Sequence, residues 1–436
     1  MHAQADPIVA SLSREEALER TRSGGTVLCL GGVPTGVEFG IDLRSYTVGP
    51  RFGGIKMVPA SGGNSMHLVT WGTDLATCGT FIAFEQPSDV SVLRWDAHAE
   101  SLRVLANGDE SERQTIAVQR MEHDASLGPY PLATAAQWWS LCNHVSTGVL
   151  RRAAIPPGTL IAPGGVDEAA FEEELERARK QMQAEQPSSE LPSLKPQARP
   201  APATTAQQPT SHMQDDGDDG DDDAATPTPA TFVELDPRRS GRGRSGADLS
   251  RFHLDKSEWL TQLLAEDYGG AAVTDGGGEA AAAASESDLL GELQLSYLLF
   301  LRLASLRALE QWKSLVHLLL SCEEALRTRP SLYLRLLPIL RAQLTLAPAD
   351  FFESELSEDN FLRDALAALA ELTSGPPLGG GAHAAPPLAP ELSAELGRLW
   401  DFMGSQFGLS LDALCASALD EDDAPVVVVA GDGCEY

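Results

Sequence analysis

Histidine and cysteine are the residues of this sequence best suited to catalysis or metal binding, and there are nine and six of them. His98, His123 and His144 could each act as a general base, because imidazole titrates near neutral pH. No histidine lies in a His-Glu-x-x-His pattern and no two cysteines form a Cys-x-x-Cys pair. A lone histidine is more often a surface or a satisfied core residue. The sequence therefore predicts no catalytic residue, no metal ligand and no cofactor.

Two further stretches have part of the composition of a phosphate or cation site. Residues 31–36 contain three glycines but lack the Lys with which a phosphate-binding loop neutralises its ligand. Pro34 and Gly36 are instead typical of a tight turn. Residues 215–223 are seven Asp broken by two Gly, without the Glu of an EF-hand loop. We interpret them as a solvated, self-repelling spacer.

The charge of the chain disfavours direct binding of nucleic acid. Its formal net charge of -31 would repel a phosphate backbone. The four arginines within residues 238–244 could touch RNA, but such a basic island more often balances an adjacent acidic tract.

Four hydroxyl side chains in and near this basic island are candidates for phosphorylation. An added phosphate could pair with the neighbouring arginines and change the conformation of the linker. The candidates are Ser240, Ser245, Thr226 and Thr228.

The order of charged and apolar residues predicts neither export nor a membrane span. Arg14 and Glu15 precede the short apolar run at 27–30, which is the wrong order for a signal peptide. Arg302 and Arg307 interrupt the most apolar stretch before it reaches the roughly 20 residues of a membrane helix. We therefore expect a cytosolic or nuclear protein.

Residues 1–165 are predicted to form a β-rich domain. Short β-rich runs at 26–30, 37–41, 67–71, 80–84 and 90–95 are separated by Gly, Pro and Asn. Their spacing favours an antiparallel sheet or sandwich. A helix over 7–22 should precede them, and a helix over 133–144, with Trp138 and Leu141 at helical spacing, could cover one sheet face.

Residues 166–230 are predicted to form a disordered acidic linker. They hold 15 Asp or Glu against 5 Lys or Arg, and no aromatic residue follows Phe171. Such a composition cannot bury enough apolar surface to form a core.

Residues 231–416 are predicted to form an α-helical domain. Apolar residues recur at helical spacing over 252–264, from Leu293 onward, and over 312–320, 331–344, 349–356, 360–372 and 391–407. Pro338 should kink the helix over 331–344 or end its first half. Gly/Ala-rich and Gly/Pro-rich insertions at 269–284 and 375–390 separate helices. The expected fold class is α+β, a sandwich-like β-rich domain and an all-α domain joined by the linker.

The tail, residues 417–436, changes abruptly from charged to apolar side chains. Four acidic residues and Pro425 lead into Val426, Val427, Val428 and Val429, followed by Ala430. Four β-branched residues span about 13 Å as a strand. The segment could add as a strand to a partner's sheet, or it could fold back as an edge strand on the amino-terminal sheet. Composition leaves both alternatives open.

Several motifs of the chain resemble the AAR-two splicing factor family, also called the A1-cistron splicing factors. The motifs lie at residues 32–42, 46–57, 127–134 with Trp138 or Trp139, 290–294, 311–313, 349–352, 359–362 and 424–428. The resemblance covers about residues 1–150, 231–372 and the tail. The linker and the Gly-rich insertions have no counterpart in the family.

The resemblance implies a β-rich domain, a helical domain and no catalytic activity. Family members bind pre-mRNA-processing-splicing factor 8, the large scaffold of the U5 small nuclear ribonucleoprotein (U5 snRNP). They sit on a cytoplasmic U5 precursor, hold the scaffold's RNase H-like and MPN-type domains, and exclude the unwinding helicase until nuclear maturation. Phosphorylation controls their departure. By this resemblance Pro425 to Ala430 would be the bridging strand, whereas the phosphorylation site does not transfer because this linker does not align.

Three functions remain as hypotheses. The first is a non-catalytic U5 snRNP assembly factor that acts by occupying the scaffold, present in both cytoplasm and nucleus. The second is a generic helical adaptor that binds another partner by strand addition of its tail. The third is an unrecognised enzyme, which would need a convergent cluster of Ser, His and carboxylate in a pocket.

Overall fold

The computed structural model describes residues 6–60, 65–73, 76–162, 227–235, 252, 254–269, 278–347, 361–374 and 387–409. The elements of the amino-terminal half are α1 Pro7–Ser11, α2 Arg14–Ser23, β1 Gly25–Leu30, β2 Glu38–Ile41, β3 Arg44–Thr47, β4 Gly54–Val58, β5 Met66–Thr73, β6 Ala76–Ala83, β7 Val90–Asp96, β8 Ser101–Val104, α3 Asp109–Gln119, β9 Leu127–Pro129, α4 Ala135–Cys142 and α5 Thr147–Arg152. The described elements of the carboxyl-terminal half are helices: α6 Ser257–Glu266, α7 Gly278–Leu303, α8 Leu306–Leu320, α9 Glu323–Thr328, α10 Pro330–Leu344, α11 Phe361–Ser374 and α12 Pro390–Phe407. The α+β fold class is confirmed.

The described strands form two sheets, as the sandwich-like prediction requires. One sheet has the order β8-β7-β1-β4-β9, and the other has the order β3-β2-β5-β6. The expectation of antiparallel pairing holds only in part for the first sheet, which is mixed. In this sheet β1 pairs antiparallel with β4 and β7 with β8, whereas β1 pairs in parallel with β7 and β4 in parallel with β9. A parallel pair needs a long crossover. The chain supplies one between β1 and β7 by building the whole second sheet in the interval.

One hydrophobic core lies between the sheets. Phe39, Trp71 and Leu93 are at most 1% exposed there. Burying a large apolar side chain contributes about 1.5–3 kcal/mol relative to leaving it exposed. This core therefore fixes the register of the strands, since a slip by one residue would turn these side chains outward.

A second hydrophobic core is shared between the two halves of the chain. Trp138 and Leu141 of α4 belong to the same buried cluster as Leu293 of α7 and Trp312 of α8. Trp138 also donates a hydrogen bond from Nε1 to the Met66 carbonyl of β5 at 2.9 Å. The predicted helix therefore covers a sheet face, and it packs against the helical domain as well.

The helix predicted over 7–22 is two helices. Asp6 caps α1, and the Ser13 hydroxyl accepts a hydrogen bond from the Glu16 amide while the Glu16 carboxylate accepts one from the Ser13 amide. This reciprocal cap starts a new helix at Arg14. Leu12 between the helices is extended, with ψ of 135°.

Of the two effects predicted for Pro338, the end of the helix is wrong, because α10 continues through it from Pro330 to Leu344. A proline in a helix interior loses one backbone hydrogen bond. Leu337, Ile339 and Leu340 are at most 2% exposed. Packing of these side chains in the second core offsets the lost bond.

Two predicted boundaries shift. Helix α7 begins at Gly278, inside the insertion predicted at 269–284. The last residues of the predicted linker also pair with the β-rich domain, because the Thr228 amide donates to the Leu160 carbonyl at 2.9 Å and the Ala162 amide donates to the Thr228 carbonyl at 3.2 Å.

Several other predictions fall outside the described residues. They are the linker up to residue 226, the helix over 349–356, most of the insertion at 375–390, and the tail. Within the ranges given above, no helix is both long and apolar enough to cross a membrane.

Candidate functional site at the junction of the two domains

The predicted site residues lie mostly outside the part of the chain that the structure describes. This holds for Pro425 to Ala430 and for Ser240, Ser245 and Thr226. Thr228 is described, is half-buried, and forms a bridge with Ile161. The described residues that carry the motifs meet instead at the junction between the β-rich and helical domains.

Helix α7 and the turn after α4 approach each other closely at Gly291. A Cβ atom at Gly291 would lie 2.4 Å from the His144 carbonyl oxygen and 2.7 Å from Cγ2 of Val149. Only a residue without a side chain fits this approach. Gly291 therefore sets the distance between the two domains.

Gln294, one turn further along α7, satisfies the backbone groups at the end of α4. Its Oε1 accepts a hydrogen bond from the His144 amide at 2.8 Å. Its Nε2 donates to the Ser140 carbonyl at 3.1 Å and to Oδ1 of Asn143 at 2.8 Å. The last carbonyl groups of a helix have no partner within the helix, so this 0% exposed amide side chain replaces water there.

Two further polar contacts join α7 to the β-rich domain, through residues of α7 that precede Gln294. His144 Nδ1 lies 2.9 Å from Ser287 Oγ, and Arg152 forms an ion pair with Asp288 at 2.6 Å. Burial holds the pKa of His144 below its ordinary value of 6.5, and the positive charge of Arg335 lowers it further. A neutral imidazole therefore occupies the junction at neutral pH.

The carboxyl end of α7 reaches the second sheet. Arg302 donates from Nη2 to Ser45 Oγ at 3.0 Å and to Thr70 Oγ1 at 3.4 Å. Burial lowers the pKa of Arg302, and the negative charge of Asp42 opposes the shift. Helix α7 thus contacts the β-rich domain at α4 and at β3 and β5.

Glu292 of α7 binds the segment that follows the linker. Its Oε1 accepts from the Val233 amide at 3.0 Å and from Gln311 Nε2 at 2.8 Å. Gln311 Nε2 also donates to the Val233 carbonyl at 3.0 Å. Burial raises the pKa of Glu292, and these hydrogen bonds oppose the shift. The segment at 231–235 is therefore held by α7 and α8 together.

The next motif residue, Trp312, is buried inside the helical domain. Trp312 Nε1 donates to Gln343 Oε1 at 2.9 Å, and Tyr297 donates to the Gln343 carbonyl at 2.7 Å. The Trp312 ring meets the Phe361 ring edge-on at 5.5 Å between centroids. These contacts join α7, α8, α10 and α11.

A buried polar network inside the sandwich joins the motif at 32–42 to the motif at 127–134. Asp42 Oδ2 lies 2.7 Å from His67 Nδ1 and accepts a hydrogen bond from Tyr130 at 2.6 Å. His67 Nε2 lies 2.7 Å from the Pro59 carbonyl oxygen. Because both ring nitrogens face acceptors, the imidazolium form suits this site. Burial, reinforced by the negative charge of Asp42, raises the pKa of Tyr130 well above its ordinary value, so Tyr130 remains a donor.

A nucleophilic active site needs a nucleophile, a base and a carboxylate that converge in a cavity. Neither the pair His67–Asp42 nor the pair His144–Ser287 has this geometry. Asp42 and His67 are 0% and 1% exposed and bind Tyr130 and Pro59 rather than a serine. His144 pairs with Ser287, but the charge that acts on His144 is a cation. Across the described ranges, no group of three or more His, Cys, Asp or Glu is placed to hold a metal ion.

Sequence reasoning missed the structural roles of Gln294 and Asp42. The available signal for Gln294 was a polar residue within the apolar periodicity of its helix, and the signal for Asp42 was an Asp directly after a β-rich run. Neither pattern indicates its distant partner, so only the fold reveals the contact.

Both halves of the junction match models of one protein family. Residues 24–155 match the AAR2 N-terminal domain, and residues 232–412 match the AAR2 C-terminal repeat region. A similar curated protein, Protein AAR2 homolog of Mus musculus, is 30% identical over 351 residues, which are 79% of this chain and 81% of that protein. The Homo sapiens homolog is 29% identical over the same shares. The Caenorhabditis elegans homolog is 24% identical over 80% of this chain and 86% of that protein.

Proposed function

This chain belongs to the AAR2 family, as its motifs predicted, and from that premise we propose that it is a non-catalytic factor in the assembly of splicing complexes. One observation supports this most directly. Two of the motif residues through which the sequence resembles the family, Gly291 and Gln294, contact the β-rich domain from helix α7. Such residues serve a framework that presents surfaces to partners, rather than a reaction.

The partner in this proposal is pre-mRNA-processing-splicing factor 8 in a U5 snRNP precursor, held through its RNase H-like and MPN-type domains. Support comes from the family resemblance and from the tail sequence. Pro425, the valines at 426–429 and Ala430 form a β-branched run with acidic flanks. Strand addition of such a segment takes affinity from backbone hydrogen bonds and specificity from pockets for alternate side chains.

Occupancy of the scaffold would then delay binding of the unwinding helicase. Two proteins that compete for one surface exclude each other according to their concentrations and relative affinities. No chemical step is needed. The proposal therefore places the chain on the precursor in the cytoplasm and its release in the nucleus.

Phosphorylation is the proposed trigger for release. Ser240, Ser245, Thr226 and Thr228 lie near the basic island at 238–244. A phosphate adds a charge of about -1.5 to -2 and strong acceptor oxygens. A phosphate at Thr228 would lie beside the bridge to Ile161 and could weaken the pairing of these two residues.

Co-elution of the full chain with the scaffold's RNase H-like and MPN-type domains tests the partner. We expect a complex with the full chain and its loss, or a drop in affinity on the order of tenfold, after deletion of residues 424–436. Deletion of residues 431–436 alone is the matched control, since it leaves the valine run in place.

The outcomes separate the hypotheses. Unchanged binding after the longer deletion would refute the bridging-strand role while keeping the scaffold as partner. Failure of the full chain to bind the scaffold would refute the proposed partner and favour the generic adaptor. Fractionation of cells into cytoplasm and nucleus tests the proposed localisation.

A further inference from the structure

Strand β7 has an open edge at its amino-terminal end. Pairing with β8 begins where Leu93 faces Val104, and the Leu105 amide donates to the Val92 carbonyl at 2.8 Å just before it. Among the strands that the structure describes, none pairs with β7 on this side ahead of Val92. The opposite side pairs with β1 along its length.

The alternation of the strand shows which backbone groups face this open edge. Successive residues of a strand direct their amide and carbonyl groups to opposite sides. The Asp89 carbonyl accepts from the Thr26 amide of β1 at 2.9 Å, whereas the Val92 carbonyl accepts from the β8 side. Val90 therefore directs its amide and carbonyl to the same side as Val92, where an added strand would find them.

A groove of about 820 Å³ lies along this edge, and α3 forms its far wall. Ile116 of α3 is 47% exposed and is one of three large apolar side chains exposed within the described residues. Val92 and Val104 also line the groove. The space is large enough for a short peptide, since ligand pockets measure roughly 300–1,000 Å³.

The charged side chains that line this groove are acidic. They are Glu85, Asp89 and Glu112, and the described residues contribute no Lys, Arg or His to the lining. The Asp89 carboxylate already accepts from the amides of Glu85 and Gln86 at 2.8 Å. Glu85 and Glu112 are exposed, so they remain available to attract a cation.

We propose that this groove binds an extended basic segment of a partner protein, which adds as a strand beside Val90 and sets Lys or Arg side chains near Glu85 and Glu112. An apolar side chain of the segment would pack on Ile116. The chain's own valine run is a poorer occupant, because four acidic residues precede it and like charges would meet. The surface is distinct from the tail, so it does not depend on the proposed scaffold.

A short synthetic peptide of alternating Val and Lys, added to the full chain, tests this proposal. We expect binding that weakens with added salt, because exposed charges are screened over about 10 Å at 0.1 M ionic strength. Hydrogen exchange should slow over residues 88–94, since an added strand protects the Val90 amide. A peptide with the sequence of residues 420–431 should bind less tightly than the basic peptide.

Three substitutions address the three features of the groove. Glu112→Lys reverses a charge, Ile116→Asn removes the apolar contact without adding a charge, and Val90→Pro removes the amide that faces the groove. Proline is tolerated at the first residue of a strand. Each should weaken peptide binding on the order of tenfold. The matched controls are Glu122→Lys and Ile8→Asn, which change exposed residues outside the groove and should leave binding unchanged.

Several outcomes would overturn the proposal. They are absence of binding, an equal effect of the control substitutions, slowed exchange elsewhere but not at residues 88–94, or tighter binding of the acidic peptide. If Val90→Pro fails to fold in a thermal melt, the two side-chain substitutions still decide the result. Scaffold binding by the tail can fail or succeed independently of each of these outcomes.

Discussion

The side-chain carbonyl of Gln294 accepts a hydrogen bond from the backbone amide of His144 at 2.8 Å, across the boundary between the helical and β-rich domains. The same side chain donates to the carbonyl of Ser140. One buried amide on α7 thus satisfies both a donor and an acceptor at the end of α4. Gln294 is 0% exposed, whereas Ser140 and His144 are half-buried.

Replacing Gln294 with Ala should lower the free energy of unfolding by about 1–3 kcal/mol, because buried backbone groups lose their partners. Urea unfolding of the full chain measures the change. Gln406→Ala, at an exposed position of α12, is the control and should change stability by less than about 0.5 kcal/mol. Equal effects of the two substitutions would contradict the role of Gln294.

Gly291→Ala should also destabilise the junction, since the new methyl would lie 2.4 Å from the His144 carbonyl oxygen. Overpacking of this kind costs about 1–3 kcal/mol. Gly397→Ala in α12 is the matched control, because its Cβ would meet no atom within 4 Å. Alanine is the better helix former by about 1 kcal/mol, so this control should raise the melting temperature. Opposite signs in thermal melts are the expected result.

Tyr130→Phe removes the hydrogen bond to Asp42 and leaves a buried carboxylate with one donor fewer. A loss of about 1–3 kcal/mol in the free energy of unfolding is expected. Tyr46→Phe, at a half-buried position, should have a smaller effect. A loss as large for Tyr46→Phe would contradict a specific contribution of the bond between Tyr130 and Asp42.

The contributions of His144 and His317 to stability should fall as pH decreases below 6.5. Burial and Arg335 lower the pKa of His144, and burial and Lys256 lower that of His317. The unfolded chain therefore binds protons in a pH range where the folded chain does not, and this stability is complete above 6.5 and lost as pH falls toward the lowered values. His144→Gln should reduce the pH dependence of urea unfolding in that range. Equal pH dependence of His144→Gln and the unsubstituted chain would contradict this prediction.

Alkylation should discriminate among the described cysteines. Burial raises the pKa of the Cys29 thiol to about 12 and raises those of Cys142 and Cys322 as well. A thiol reacts as its thiolate. Iodoacetamide should therefore label half-buried Cys78 before these three in the folded chain, and all four in urea. Mass spectrometry of peptides measures the order, and early labelling of Cys29 would contradict the described packing.

Local patterns in the sequence predicted most elements. The short β-rich runs at 67–71 and 90–95 indicated strands that the structure contains, and helical spacing over 312–320 indicated α8. Capping also acts locally. Ser13 and Glu16, which are three residues apart in sequence, form the cap at which α2 begins. The motifs at 32–42 and 290–294 further indicated the family, which the domain matches confirm.

Tertiary structure decided what depends on residues far apart in the chain. The parallel pairing of β1 with β7 follows from the second sheet built between them, and α10 continues through Pro338 because its neighbours are buried. Gln294 binds His144 across 150 residues of sequence. The sequence by itself determined the elements and the family, because these depend on local periodicity and on motifs. The junction and the open edge of β7 depend on which surfaces meet, and only the folded chain brings those surfaces together.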